Sequence, residues 1–306
     1  MKAFVARTSG ATTVELTEVP VPRIDEDELL VQVRAIGVGI HDSYYLPSAA
    51  RYPFVVGIEA AGVVEGIGAQ ESAFQVGDRI TFVSAMQLKG GTWAEYVAVK
   101  ANSPIMPIPV GMDFAQAAAI PIAGDTALRA LQAVAIEPAD GSIFIAGGSG
   151  AIGTLAIQLA RKEGLRVAAS ASKANQEYLR GLGANLAVDY RDSDWPEQVR
   201  QWAPGGVDAA IAVPPDTAAD SMSVVRDGGV VVAVSGDQVH SERGVQVRGV
   251  PHQMDTRGEM AQLLTDIAAG EILVEIEHVY PFEEAPAALA KVQMRHARGK
   301  LVLRLS

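Results

Sequence analysis

The sequence predicts an α/β protein in two parts, a β-rich barrel-like domain and a doubly wound parallel sheet. Three observations predict it. Residues 143–164 run from an apolar stretch through the turn Gly147-Gly148-Ser149-Gly150-Ala151-Ile152-Gly153 into a segment with Ile152, Leu155, Ala156, Leu159 and Ala160 at helical spacing. From 141 to 236 short apolar runs alternate with helical patterns, the signature of a parallel sheet. The first 110 residues instead carry glycine or proline roughly every 8–12 residues between short alternating runs, as compact antiparallel sheets do.

Taken in order, the barrel-like part offers strands at Lys2–Arg7, Thr12–Val19, Leu29–Gly37, Gly57–Gly68, Arg79–Val83 and Trp93–Val99. In Leu29–Gly37, Leu29, Val31, Val33 and Ala35 form one face, and Gln32 and Arg34 the other. Asp113 and Gln116 make a capping box before a helix at Ala115–Ile120, which Pro121 is expected to stop. Asp125 is then a cap for a second helix, Thr126–Val134. Parallel strands follow at Ser142–Ala146, Leu165–Ala169, Leu186–Asp189, Val207–Val213 and Val230–Val234. Between them lie helices at Ile152–Glu163, Ala174–Leu182, Trp195–Ala203 and Thr217–Val225. The chain closes with the strand Val245–Gly249, the helix Arg257–Ala269, the strand Val274–Tyr280, the helix Glu283–Arg295 and the strand Lys300–Leu305.

Composition narrows the function classes. The chain has 306 residues, 49% hydrophobic and 20% charged, which is ordinary for a globular protein of two domains. A formal net charge of −11 without a dense Lys/Arg run argues against a nucleic-acid binder. There is no cysteine, so disulfides, thiolate nucleophiles and Cys-containing zinc sites are excluded. No stretch has the length and apolarity of a membrane span, and the N-terminal Met1-Lys2-Ala3-Phe4-Val5 reads as a strand rather than a signal peptide. A cytoplasmic protein is the expectation.

Strand, glycine turn and helix together form a dinucleotide-binding unit. Glycines let the backbone turn tightly beside a pyrophosphate, and the helix N-terminus presents free N–H groups to it. Gly147, Ser149, Gly150, Ala151 and Ile152 are the candidate contacts. The strand after this helix ends Ser170-Ala171-Ser172-Lys173, with no carboxylate to hold a ribose 2′-hydroxyl. Two hydroxyls and an ammonium suit a 2′-phosphate instead, which favours NADPH over NADH. The competing reading makes Ser172 a helix N-cap and Lys173 a solvated surface charge.

Several motifs then converge. They are Pro20-Val21-Pro22, Gly57-Ile58-Glu59-Ala60-Ala61-Gly62-Val63-Val64, Gly77-Asp78-Arg79, Trp93-Ala94-Glu95-Tyr96, Ala117-Ala118-Ala119-Ile120-Pro121, Leu182-Gly183-Ala184, Asp189-Tyr190-Arg191 and Gly299-Lys300-Leu301-Val302-Leu303. With the glycine turn, they give the chain a resemblance over almost its whole length to the medium-chain dehydrogenase/reductase superfamily. The resemblance is to its zinc-free branch, the NADPH:quinone oxidoreductases related to zeta-crystallin. It implies a GroES-like catalytic domain at 1–118 and 257–306 and a Rossmann NADPH-binding domain at 119–256. Zinc-bearing members have Cys and His where this chain has Gly39 and Ile58. His41, Asp42 and Glu59 remain, a poor zinc set without a fourth ligand.

By the same resemblance Asp42 and Tyr44 match residues beside the nicotinamide, although the Asn usual at position 39 is replaced here by glycine. Thr126, Tyr190, Val213, Val234 to Gly236, Val250 to His252 and Lys300 match cofactor-contacting positions, and Val245–Gly249 matches the edge strand through which family dimers extend their sheets. The implied reaction is hydride transfer from NADPH to a quinone or an α,β-unsaturated carbonyl. Such an acceptor is already electrophilic, so positioning can replace a Lewis acid, with the proton drawn from solvent or from a tyrosine of the 44–52 loop, Tyr52 foremost. The rivals are an enoyl-thioester reductase of the same fold and a non-catalytic NADPH-binding or sensor protein.

Overall fold

The computed structural model describes residues 1–70, 73–84, 87–135, 141–251 and 253–305. The chain divides into two compact units. One comprises Met1–Ile122, Met260–Ala269 and Val274–Ser306; the other comprises Ala123–Glu259 and Gly270–Leu273. Among the described residues no helix is long and apolar enough to cross a membrane.

The chain begins with eight strands, β1 (Lys2–Ala6), β2 (Glu15–Glu18), β3 (Glu28–Val38), β4 (Phe54–Val55), β5 (Glu59–Ile67), β6 (Arg79–Val83), β7 (Tyr96–Lys100) and β8 (Ile105–Pro107). Two helices follow, α1 (Phe114–Ala118) and α2 (Pro121–Val134). The parallel-sheet region holds β9 (Ser142–Ala146), α3 (Ala151–Lys162), β10 (Arg166–Ala171), α4 (Gln176–Gly181), β11 (Leu186–Asp189) and α5 (Trp195–Trp202). It continues with β12 (Val207–Ala212), α6 (Ala218–Val224), β13 (Val225–Ala233) and β14 (Gln246–Gly249). The last elements are α7 (Arg257–Ala268), β15 (Ile276–Pro281), α8 (Ala285–Gln293) and β16 (Lys300–Arg304).

The first unit is the β-rich, GroES-like one. Its larger sheet runs β15-β16-β3-β5-β6-β8 with β7 also on β3, and a smaller sheet runs β2-β1-β4. The alternation read in Leu29–Gly37 holds, with Leu29, Val31, Val33 and Ala35 buried and Gln32 and Arg34 half-exposed. The core gathers these with Phe4, Phe82, Trp93, Phe282, Leu301 and Leu303. Phe4 meets both Trp93 and Phe282 edge-on, at 6.3 and 5.1 Å between ring centres.

The second unit is a six-stranded parallel sheet in the order β11-β10-β9-β12-β13-β14. Two mononucleotide halves diverge from β9 and β12, which is the Rossmann arrangement. Its core includes Phe144 stacked on Trp195 at 5.0 Å.

Several expectations are corrected. Pro121 does not stop a helix; it starts α2. Proline is tolerated in a first turn because its missing N–H would have had no intrahelical acceptor. Asp125 is therefore inside the helix, and its carboxylate accepts from Arg129 Nε at 2.9 Å and from the Thr256 hydroxyl rather than capping. The Asp113–Gln116 capping box is present, but α1 ends at Ala118. The strand expected from Thr12 begins only at Glu15, and the helix expected over 283–295 is a 3-10 turn, Phe282–Glu284, followed by α8.

Two buried polar constructions hold the first unit together. Glu59 on β5 and Lys300 on β16 are 1% and 7% exposed and form an ion pair, and Glu59 also accepts from Ile122 N at 2.7 Å. Asp42, 1% exposed, accepts at Oδ2 from Gly39 N at 2.9 Å and from Trp93 Nε1 at 3.1 Å. This fastens the loop after β3 to the aromatic core. Burial pushes the Asp42 carboxyl up to about 7; the Gly39 N–H and the Lys300 charge oppose the rise, and Glu59 adds to it.

Two predictions follow from these buried groups. Glu59→Gln leaves the Lys300 charge buried without its counter-charge and should cost about 3–5 kcal/mol in denaturant unfolding; a loss below about 1 kcal/mol would mean the pair is not structurally important. For Asp42 the folded-state pKa lies above the ordinary 3.8. The folded state then holds more protons than the unfolded chain between about pH 4 and 7, so this group's contribution to stability falls as pH rises through that window. Unfolding of the wild type and Asp42→Asn at pH 4.5 and 7.5 should show the variant gaining relative stability at the higher pH. A stability difference independent of pH would refute the raised value.

Candidate functional site

In the second unit the glycine turn is shaped by close approach. Gly147 has φ of 75°, and a Cβ there would lie 2.7 Å from the Pro214 ring. At Gly153 a Cβ would lie 2.3 Å from the Gly147 carbonyl oxygen, so α3 can pack this closely on the turn only with glycine. Gly148 N donates to Ser170 O at 2.8 Å, tying the turn to the end of β10. Gly150 is the N-cap of α3 and has no capping side chain. Thr154 N donates to Gly150 O at 2.9 Å, closing the first turn of the helix. The N–H groups of Ala151, Ile152 and Gly153, at the helix start, therefore have no intrahelical acceptor.

Beside this turn, small polar groups meet at the carboxyl ends of β9 and β10. Asn175 Nδ2 donates to Ser149 Oγ at 3.3 Å and to Ser172 Oγ at 3.4 Å. Ser172 occupies the N-cap position of a 3-10 turn, Lys173–Asn175, but its hydroxyl makes no cap bond. Lys173 is exposed, and among the described residues it has no ion-pair partner. Ser170 is buried in β10, one residue before the strand's end. On the adjacent strand Tyr190 follows β11, its N–H donating to Ala171 O at 3.2 Å and its ring lying 5.3 Å from the Arg191 guanidinium carbon. Ser149, Ser172, Lys173 and Tyr190 thus cluster at neighbouring strand ends, where ligands bind in open parallel sheets.

The remaining candidates of this unit are more dispersed. Val213 follows β12, and its carbonyl accepts from Ser235 Oγ at 2.6 Å; Val234 N donates to Ala212 O at 2.9 Å. Gly236 follows with φ of 77°. Val250 is half-buried after β14, and Thr126 is half-buried on α2. His252 lies outside the described residues.

In the first unit the loop after β3 carries Asp42, buried as described, and Tyr44, 42% exposed and edge-on to His41 at 5.5 Å. Burial lowers the His41 pKa, and the positive charges of Arg295 and Lys300 lower it further. Tyr52 is half-buried against the aromatic core. Lys300 is engaged by Glu59. Among the described residues no three His, Asp or Glu side chains group as a metal site would require.

Sequence reasoning missed three residues here. Asn175 bridges two expected hydroxyls, Arg191 stacks on Tyr190, and Asp237 accepts from Asp216, Thr217 and Ala218 N, each at 3.1 Å, at the start of α6. Arg191 belongs to the Asp189-Tyr190-Arg191 motif, so the sequence carries a signal for it. Asp237 acts on a helix start in another segment, so no local pattern announces it.

Comparison with known proteins agrees with this architecture. The family model described as alcohol dehydrogenase GroES-like domain matches residues 25–110, and the one described as zinc-binding dehydrogenase matches 182–303. The chain is 31% identical over 325 residues to the NADPH-dependent alkenal/one oxidoreductase, chloroplastic, of Arabidopsis thaliana, covering 99% of this chain and 79% of that protein. It is 29% identical over 306 residues to the quinone oxidoreductase of Sus scrofa, covering 94% and 91%. In solved structures it is similar to the quinone oxidoreductase from Coxiella burnetii, with a TM-score of 0.88, 26% identity and coverage of 100% and 99%. The Escherichia coli quinone oxidoreductase complexed with NADPH, at 23% identity and a TM-score of 0.88 over 100% of both chains, shares the fold. With a GroES-like barrel, a Rossmann sheet and relatives of this kind, the chain belongs to the medium-chain dehydrogenase/reductase superfamily, as an oxidoreductase of the branch whose named members include quinone and alkenal/one oxidoreductases.

Proposed function

We propose that the protein is an NADPH-dependent, zinc-independent reductase that passes a hydride to a quinone or an α,β-unsaturated carbonyl. The observation that carries the cofactor reading is the cluster of Ser149, Ser172 and Asn175 beside the exposed Lys173, at a strand end that bears no carboxylate. A 2′-phosphate fits this set, since the two seryl hydroxyls, accepting from Asn175, keep their own O–H groups to donate, the Lys173 ammonium, without an ion-pair partner among the described residues, complements a dianion, and a carboxylate would repel it. The pyrophosphate fits the start of α3, where the N–H groups of Ala151 and Ile152 have no intrahelical acceptor. A Cβ on Gly150 would meet nothing of the protein nearer than 3.6 Å, so the space over the turn is free.

Bound there, the nicotinamide would supply the hydride, and the protein's part is to hold and orient. The turn and α3 fix the phosphates, Lys173 with its neighbours selects the 2′-substituent, and Thr126, Val213, Val234, Gly236 and Val250 are the proposed contacts of the nicotinamide half. Tyr190 and Lys300 belong to the same proposed set. In the barrel unit, Asp42 positions the loop that carries Tyr44, and Tyr52 is the side chain proposed to give the proton, with solvent as the alternative donor. Zinc independence rests on residue chemistry: Gly39 and Ile58 offer no ligand atoms where zinc-bearing relatives have Cys and His, and the chain has no cysteine. The related names also bring the substrate class, an alkenal/one or a quinone. The reading includes a cytoplasmic location and a homodimer through Val245–Gly249; β14 lies at the edge of the parallel sheet with an exposed flank, as strand addition needs.

Oxidation of NADPH against a panel of quinones and enals, with and without a chelator, tests the reaction. Turnover unaffected by the chelator is expected. Tight NADPH binding without turnover on any member would assign a binding role instead. For the cofactor, Lys173→Ala should weaken NADPH about tenfold or more, the worth of one charge-assisted contact, while NADH changes by less than about twofold. Fluorescence titration reads both, and equal weakening would remove the phosphate assignment.

A further inference from the structure

A second cationic cluster sits on the first unit, and the proposed reaction makes no use of it. Arg304 on β16, Arg34 on β3 and Arg79 on β6 line one open cleft of about 610 Å³, within the roughly 300–1,000 Å³ range of small-molecule sites. They come from three strands of one sheet. Arg304 is opposite Ala35, and Val63 of the intervening strand β5 is opposite Arg79. Arg34 sits where the pairing of β3 with β5 slips: Val33 faces Gly62 and Ala35 faces Ala61, leaving no partner for the residue between. Such bulges re-aim a side chain, and here the residue re-aimed lines the cleft.

The charges are available. Among the described residues, Arg34 and Arg304 have no ion pair and no side-chain hydrogen bond. Arg79 donates once, to Met112 O at 2.6 Å, and lies 4.6 Å from the centre of the Phe114 ring, which leaves most of its five donors free. Asp113 also lines the cleft, but its Oδ1 is held by Gln116 N at 2.7 Å. Three guanidinium groups line one cleft in a chain with a net charge of −11, and the one carboxylate among the described lining residues, Asp113, offsets only part of their positive charge.

We propose that this cleft binds a small multivalent organic anion. Guanidinium forks match phosphate or paired carboxylate oxygens, and Val63 and Phe114 supply apolar and aromatic surface for the body of the ligand. The lining shares no residue with the proposed cofactor set, so the inference does not depend on NADPH being the cofactor.

The test is calorimetric titration of the full chain at low salt with pyrophosphate and, separately, with citrate. A saturable site that the Arg34→Ala with Arg304→Ala variant lacks is expected for at least one of them; the two arms show whether phosphate or carboxylate is preferred. Arg304→Ala, at an exposed strand end, should weaken binding about tenfold without changing the melting temperature, and Arg34→Ala with Arg304→Ala about a hundredfold. Lys173→Ala should leave it unchanged. Absence of a site for both anions, retention of full affinity in Arg304→Ala and in the double variant, or loss in Lys173→Ala would each overturn the proposal, the last by assigning the anion to the nucleotide turn.

Discussion

The buried carboxylate of Glu59 is the constraint around which the barrel unit is arranged. A charge so far from water is tolerable only when it is paired and hydrogen-bonded. Lys300 supplies the counter-charge from the last strand, and Ile122 N supplies a hydrogen bond from the start of α2. The same carboxylate thereby satisfies one of the orphan N–H groups of that helix, which explains why a helix can begin at Pro121 without a local capping side chain. Space is limited as well: a Cβ at Gly37 would lie 2.8 Å from the Glu59 side chain and 2.3 Å from Ala118 O, so β3 carries glycine there. One buried charge thus accounts for a glycine, a lysine and a helix start in separate parts of the chain.

This interaction also marks where the sequence stops being legible. Strands such as β3 and β9 and the turn before α3 follow from local periodicity and glycine placement, and they were readable because burial repeats every second or every three to four residues. The start of α2 was not. Its N-terminal partner lies 63 residues upstream, so Pro121 followed by Asp125 reads locally as a stop and a fresh cap. The candidate site divides the same way. Ser149, Ser172 and Lys173 could be read as a phosphate-binding set from their positions after a glycine turn and after a strand. Asn175, which joins the two hydroxyls, needed the 3-10 turn to bring its side chain back. The resemblance supplied Lys300 as a cofactor contact, whereas the contact visible within its own unit is with Glu59.

Net charge was a sound guide to class but a poor one to local chemistry. A value of −11 argues against a nucleic-acid binder, yet among the described residues the chain keeps cations that form no ion pair. Lys173 is one and the Arg34–Arg79–Arg304 cleft is another. Elsewhere, exposed cations such as Arg7, Arg226 and Arg257 meet carboxylates at 2.6–2.8 Å, as surface charges in an acidic protein readily do. Cations left unpaired against that background carry more information than their number suggests.

The glycines of the nucleotide turn sharpen the argument further, because they are not equivalent. Gly147 and Gly153 are required by the protein itself, one by Pro214 and the other by the carbonyl of Gly147. Gly150 is not. Its φ of −79° suits any residue, and a Cβ there would find its nearest neighbour at 3.6 Å, an ordinary contact. Nothing in the fold of this unit demands glycine at the first position of α3's cap, where Ser, Thr, Asn or Asp would stabilise the helix as well or better. A residue that the fold does not need, at a helix start whose N–H groups are open, is best explained by what must come close to that backbone, and an anionic phosphate group has the charge and the need for bare N–H donors.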